Sequence, residues 1–330
     1  MYDSFREFLE GKKKIAIIQA ENPDGDSLGS ALALEGILAD YEVSLYCPVQ
    51  IPTYMRYFDG WGRVTAEFDF LADGYIIVDT ASNILLSKLL EDSAIRKRLY
   101  NAPVFVLDHH ESEDDLEFSH MGLIQELPAC CSLILRIAKE LEMLEKADKS
   151  VYEYLYYGIL SDTLGLTTAT TGAKTFMEIG ELVERGELEV DKLEEKRRQF
   201  SKKSERIFKY KADLIQHTEF FLDGKLAAIH IPWEEIHEFS NEYNPNALIM
   251  EELRMVAGVE VALAVKTYPD GRVTGKIRTT EPIAQEIAEF YGGGGHPYAA
   301  GFRTYDVEYE EVVREVIEVI DKLGKKIIAS

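Results

Sequence analysis

Short apolar runs recur through the first half of this chain, and none alternates polar with apolar residues as a half-exposed strand would. They span 15–19, 43–47, 75–78 and 104–107, with a further one at 122–124. Between them, residues 28–38, 85–90, 133–144, 151–160 and 175–183 repeat apolar side chains at helical spacing. Strands covered on both faces and alternating with helices predict an α/β domain, a mainly parallel sheet with flanking helices. In such sheets ligands gather beyond the carboxyl ends of the strands. Several of these runs end there in ionisable groups.

The run 104–107 stops at Asp108, His109 and His110, and the run 75–78 stops at Asp79. The first run leads into Asn22-Pro23-Asp24-Gly25-Asp26-Ser27 and then a helix. Two aspartates at i and i+2 at a strand exit can face two metal ions. The plainer reading is a turn in which Asp26 or Ser27 caps the helix. Asp79 divides in the same way, ligand or cap. A pair of histidines after a buried strand is harder to explain structurally. Asp162 closes an apolar helix, where a carboxylate meets the negative end of the macrodipole, so a compensating cation is expected. These carboxylates and imidazoles suit a hard or borderline divalent ion. Further on, glycines fill 292–295, more than one left-handed cap requires. They predict a flexible loop rich in accessible amides, the kind of cradle an anionic group needs.

Length and composition set the frame. At 330 residues the chain has room for two domains. Residues 183–204 turn heavily charged and helix-prone, which marks a linker. Beyond it, hairpins over 219–231 and 259–278 and helices over 283–291 and 309–323 predict a smaller C-terminal α+β domain. The expected division is 1–185, a linker helix over 186–210, and 211–330. With 59 acidic against 36 basic residues the net charge is −23, which opposes tight binding of long duplex nucleic acid. A small anionic ligand remains compatible, held by a local patch drawn from Lys266, Arg272, Lys276, Arg278 and Arg303. Cys47, Cys130 and Cys131 offer no disulfide framework, so a cytoplasmic, reducing setting is expected. No apolar run reaches membrane-spanning length, and the amino terminus lacks the apolar core of a signal peptide.

Taken in this order, the blocks resemble the DHH phosphoesterase superfamily. The run Gly292-Gly-Gly-Gly-His296-Pro-Tyr-Ala-Ala-Gly301 resembles the signature of its DHH-associated carboxyl-terminal domain. The resemblance spans nearly the whole chain and is strongest to the small nanoRNases (oligoribonucleases) and the phosphodiesterases acting on pApA. It implies that Asp26, Asp79, His109 and Asp162 bind one ion, and Asp24 with a bridging Asp79 the other. Asp108 would orient the histidines, and His110 would face the scissile phosphate as electrophile or proton donor. On the second domain Arg278 would grip a substrate phosphate, with Lys276 on the same strand face. Gly293, Gly294, Gly295 and His296 would close on the terminal nucleotide. Mn²⁺ is the expected ion and Mg²⁺ the second choice. The implied substrate is a short 5′-phosphorylated oligonucleotide or a linear dinucleotide, and the implied assembly a homodimer.

One departure stands out. The family's first motif begins with a histidine four residues before the first aspartate, and this chain has Ala20 there. Glu21 is adjacent and could reach round, water could fill the place, or the second ion could be held weakly. Two other readings therefore stay open: a phosphatase of nucleoside 3′,5′-bisphosphates, and a nucleotide-binding protein with weakened catalysis. The remaining features read as structural. Cys130-Cys131-Ser132 opens a helix with no base beside it, and His120, His217, His230 and His237 are scattered. Tyr291 and Tyr298 flank the glycines and either stack on a base or pack in the core.

Overall fold

Strands β1 (Lys14–Ile18), β2 (Glu42–Tyr46), β3 (Val64–Thr65), β4 (Gly74–Val78), β5 (Val104–Asp108) and β6 (Met121–Ile124) form one parallel sheet. Their order is β3-β2-β1-β4-β5-β6. The structure is a computed structural model describing residues 2–110, 114–240 and 242–328, apart from the side chains of His296 and 324–328. Helices α1 (Asp3–Leu9), α2 (Gly25–Ile37), α3 (Ser87–Leu90), α4 (Ser93–Asn101), α5 (Cys130–Glu140), α6 (Lys149–Asp162), α7 (Ala173–Arg185) and α8 (Val190–Phe200) accompany this sheet. Because side chains alternate across a strand, Ile15, Ile17, Ile76, Val78, Phe105 and Leu107 pack toward α1, α2, α5 and α6. Their neighbours Ala16, Ile18, Tyr75, Ile77, Val104 and Val106 pack toward α3 and α4. Strands β1, β4 and β5 are thus buried on both faces, as the sequence predicts, whereas β2 is buried only toward its end and the edge strand β6 is largely exposed. Strand order reverses between β1 and β4, which opens a crevice beyond their carboxyl ends.

The chain divides into two compact units, 1–202 and 203–330. In the second, α9 (Glu205–Gln216) precedes strands β7 (Glu219–Phe221), β8 (Leu226–Ile231), β9 (Val261–Thr267), β10 (Arg272–Thr279), β11 (Gly294–His296) and β12 (Ala299–Tyr305). They form a mixed sheet in the order β11-β12-β10-β9-β8-β7, with β8 parallel to β9 and the other pairs antiparallel. Helices α9, α10 (Trp233–Phe239) and α11 (Pro245–Arg254) cover part of one face. Helices α12 (Ala284–Glu289) and α13 (Tyr309–Ile328) cover the other.

Two expectations change. The charged stretch forms two helices, α8 and α9, instead of one linker helix. Ser204 breaks it by capping α9, its hydroxyl accepting from the Ile207 amide at 3.2 Å. Leu193 of α8 is buried in the first core, where its carbonyl accepts from the Tyr157 hydroxyl. The glycine run is not a free loop either. Gly294, Gly295 and His296 pair with Gly301, Ala300 and Ala299 of β12.

That pairing explains the glycines one by one. Gly292 sits at φ +70 just past α12, as a helix end requires. A side chain at Gly293 would fall 2.4 Å from the Gly301 carbonyl oxygen, and one at Gly295 2.6 Å from that of Ala299. Only Gly294 of the three faces open space. As the edge strand, β11 still presents backbone groups without a neighbour on its outer side.

Candidate active site

Asp24, and neither Asp26 nor Ser27, caps α2. Its Oδ1 accepts from the amides of Asp26 and Ser27 at 2.9 Å each, and the Asp24 amide in turn donates to the Ser27 hydroxyl oxygen at 3.0 Å. The capping reading and the ligand reading are therefore compatible, since Oδ2 takes no part in the cap. Asp26 is fully buried and serves a different helix. Helix α5 begins after Ala129, which has no side chain to cap it. The Asp26 carboxylate fills that role: the Cys130 amide donates to Oδ2 at 2.5 Å and the Cys131 amide to Oδ1 at 2.9 Å. These two amides fix Asp26, and sequence reasoning missed them. The available signal was a helix start, Pro128-Ala129-Cys130, without a capping side chain. All three cysteines are free and buried. Burial pushes the Cys130 and Cys131 thiols well up, which removes any nucleophilic role.

Close backbone approach brings Asp162 to the same place. A side chain at Gly25 would lie 2.4 Å from Ser161 Oγ, one at Gly29 2.7 Å from the Tyr154 carbonyl oxygen, and one at Gly158 2.2 Å from Cys131 Sγ. Helices α2, α5 and α6 therefore meet with almost nothing between them, and α6 ends at Asp162. Asp79 follows β4 at φ +64, a left-handed conformation that Asp and Asn tolerate better than most residues.

His109 stands at the centre. Its Nδ1 lies 2.9 Å from the Leu127 carbonyl, which can only accept, so Nδ1 carries a proton and Nε2 is the nitrogen turned to the cluster. Nε2 faces Asp79 Oδ1 at 3.3 Å, Asp162 Oδ2 at 3.5 Å and Asp26 Oδ2 at 3.7 Å. Both His109 Nε2 and Asp79 Oδ1 are buried without a hydrogen-bond partner. Burial alone would lower His109, yet Asp26 and Asp162 outweigh it and raise the imidazole, so three carboxylates around one nitrogen call for positive charge among them, a proton or a metal ion. The residues thus fit a divalent metal ion, with mixed imidazole and carboxylate donors. Two donor groups are close enough to share an ion: Asp26, His109 and Asp162, and Asp79, His109 and His110.

The electrostatics agree. Burial, then the charges of Asp24 and Asp26, push the Asp79 carboxyl well above the usual carboxylate range. Burial and Asp26 push Asp162 up to about 7. Asp108 behaves oppositely. Burial alone would raise it, but bonds from His110 Nδ1 at 2.7 Å and from the His109 and His110 amides hold it low. Burial alone would lower His110, yet Asp108 and Asp79 outweigh it and keep the imidazole above its ordinary value. Asp108 is thus placed to orient His110, with Nε2 turned away from it.

Glu21 does not replace the missing histidine. Its carboxylate accepts from the Lys88 amide at 2.6 Å and from the Ser87 hydroxyl, so it is engaged at α3. In the second unit, Lys276 and Arg278 lie on β10 with the burial alternation expected for residues that share the face away from the core. Arg278 lines a pocket of about 140 Å³ with Glu251, Arg254, Thr279 and Thr280. The backbone of His296 lies in β11, while its side chain is outside the described residues. Tyr291 packs inward, stacked on Phe302 at 4.1 Å, whereas Tyr298 is exposed.

A carboxylate–histidine centre at the switch point of a parallel sheet, followed by a mixed-sheet domain carrying Gly-Gly-His, defines a class. Residues 14–159 match the DHH family, N-terminal domain, and residues 235–326 match the DHHA1 domain. The chain belongs to the DHH phosphoesterase superfamily. Within it, the chain is 25% identical over 311 residues to a probable bifunctional oligoribonuclease and PAP phosphatase NrnA of Streptococcus mutans, covering 92% of this chain and 93% of that one. A bifunctional oligoribonuclease and PAP phosphatase NrnA of Thermus thermophilus is 25% identical over 305 residues, covering 91% and 86%. An exopolyphosphatase-related protein of Bacteroides fragilis has the same fold, with a TM-score of 0.83 at 22% identity over 97% of this chain and 95% of that one. No helix among the described residues is long and apolar enough to cross a membrane.

Proposed function

We propose that this chain is a metal-dependent phosphodiesterase that hydrolyses short 5′-phosphorylated oligonucleotides, down to dinucleotides such as pApA, to mononucleotides. The observation that carries this reading is the convergence of Asp26, Asp79 and Asp162 on His109 Nε2, a buried set of donors with the spacing of a metal site. Similarity along nearly the whole chain to relatives named oligoribonucleases supports the substrate class. Divalent ions bound there supply charge stabilisation to a phosphoryl group and make water acidic enough to act as a nucleophile at neutral pH. Mn²⁺ is the ion we assign, because the donors mix one imidazole with carboxylates.

Asp26, Asp79, His109 and Asp162 hold the first ion, and Asp24 with Asp79 holds the second. The α5 amides keep the Asp26 carboxylate fixed. Asp108 keeps His110 protonated at Nδ1, so its other nitrogen can hold or give a proton at the phosphoryl oxygen or the leaving group. Arg278 and Lys276 bind a substrate phosphate, and Gly293, Gly294, Gly295 and His296, across β12 from them, close on the terminal nucleotide. A cytoplasmic setting fits three free, buried thiols.

Turnover assays with Mn²⁺ on pApA, a trinucleotide RNA, a nucleoside 3′,5′-bisphosphate and a thirty-nucleotide strand test this reading. Hydrolysis is expected to be fastest on the dinucleotide and trinucleotide and to fall steeply on the long strand, which a net charge of −23 repels. Undiminished cleavage of the long strand would refute the size preference. No hydrolysis of any diester would refute the activity.

A further inference from the structure

The face of the second sheet that α9, α10 and α11 cover in part carries an arrangement that the metal centre does not explain. Thr274 of β10 pairs with Lys266 of β9 on one side and Arg303 of β12 on the other. Residues paired across strands share a face, and so do residues two apart along one strand. Lys266, Arg303, Arg272 and Lys276 therefore form a cross about Thr274, at about 5 Å across the sheet and about 7 Å along it. Four cations around one hydroxyl are unexpected in a chain with 59 acidic residues against 36 basic.

The arms differ in their partners. Arg272 leans away, over the Tyr268 ring at 3.9 Å and beside Asp270. Lys266 is buried, and its ammonium reaches only the neutral Asn244 Oδ1, at 2.9 Å. Among the described residues, no carboxylate lies within ion-pair distance of Lys266, Lys276 or Arg303. Arg278, two residues beyond Lys276, has Glu251 nearby but forms no ion pair with it. Burying a lysine against other cations without an acid is unfavourable unless an anion arrives. Burial and Lys276 accordingly lower the Lys266 ammonium to about 8.

We propose that Lys266, Lys276 and Arg303, with the Thr274 hydroxyl between them, form a second phosphate subsite that recognises the terminal phosphate of a 5′-phosphorylated substrate. The proposal rests on the phosphodiesterase reading, in which Arg278 takes the neighbouring phosphate and Lys276, between the two, serves both. Cations repeat at about 7 Å along β10. The covalent path P–O–C5′–C4′–C3′–O–P joining neighbouring phosphates spans a comparable distance. Arg303 and Lys276 are exposed and accessible, and Lys266 lends its charge from beneath.

The test is calorimetric binding of a dinucleotide with and without its 5′-phosphate, to the full chain in chelator so that nothing is hydrolysed. Wild type is expected to bind the phosphorylated dinucleotide about tenfold more tightly. In Lys266→Met and in Arg303→Gln that preference should shrink to about twofold, while affinity for the unphosphorylated dinucleotide stays unchanged. Arg303→Lys should retain most of the preference. Melting temperatures should hold or rise, because each neutral variant relieves repulsion. A tenfold preference that survives in both neutral variants, or no preference in wild type, would overturn the subsite. Because binding is read without turnover, a chain that binds as expected but hydrolyses nothing would refute the phosphodiesterase reading alone.

Discussion

Asp79→Asn is expected to lower kcat/KM on a dinucleotide by roughly a thousandfold or more, the scale of losing several kcal/mol of charge stabilisation. Asparagine tolerates φ +64 as aspartate does, so the strand exit keeps its shape and the loss reports on the carboxylate. Stability should move the other way in the metal-free protein. The Asp79 carboxyl is raised in the fold above its ordinary 3.8, so the folded state binds its proton more tightly than the unfolded chain does. Only below the ordinary value of 3.8 are both states largely protonated, and there nothing distinguishes them. As pH rises through the raised value the folded state must carry the buried charge, and stability falls. Asp162, raised to about 7, acts in the same sense. In chelator, the variant should therefore melt above wild type at pH 8, and the two should converge as pH falls below the ordinary carboxylate value. Saturating Mn²⁺ should reverse the order at pH 8. Thermal melts across pH, with and without the ion, check this. A variant with wild-type turnover would remove Asp79 from the site.

Arg278→Ala is the second large effect. It should raise KM about tenfold to a hundredfold and leave metal stoichiometry unchanged, a loss of roughly 1.5–3 kcal/mol for one charge-assisted contact to phosphate. The guanidinium lies on β10, in the pocket beside Thr279 and Thr280, in a different compact unit from the residues of the metal cluster. Metal loss in the variant, or unchanged kinetics, would contradict the role assigned to it.

What could be read in the sequence was whatever is local. Apolar runs that stop at charged groups identified β1, β4 and β5 and placed Asp24, Asp26, Asp79 and His109 at their ends, because a buried strand and its exit are contiguous. Helix α6 and its terminal Asp162 were legible for the same reason. The pairing of distant segments was not. That the Cys130 and Cys131 amides hold Asp26 depends on a contact across about a hundred residues of chain, and only the uncapped start of α5 hinted at it. The order of β11 beside β12 is likewise a matter of register, so four glycines looked like a loop. A short helix such as α4 carries too few turns for periodicity to distinguish it from its surroundings, whereas the start of α10 at Trp233 was legible. Glu21 illustrates the same limit, since its capture by α3 depends on a segment that lies well downstream.

That capture sharpens the expectation for the metals. With Ala20 in place of histidine and Glu21 engaged at α3, the second ion is expected to draw on Asp24 and the shared Asp79 and to bind weakly. Titrating the chelated protein with Mn²⁺, while following bound metal and hydrolysis of pApA in the same samples, tests the account most directly. The predicted result is no turnover in chelator, one tightly bound equivalent, and activity that keeps climbing well past it. Ala20→His should tighten the second event and bring maximal activity to lower Mn²⁺. Full hydrolysis in chelator, or none at saturating Mn²⁺, would contradict the account.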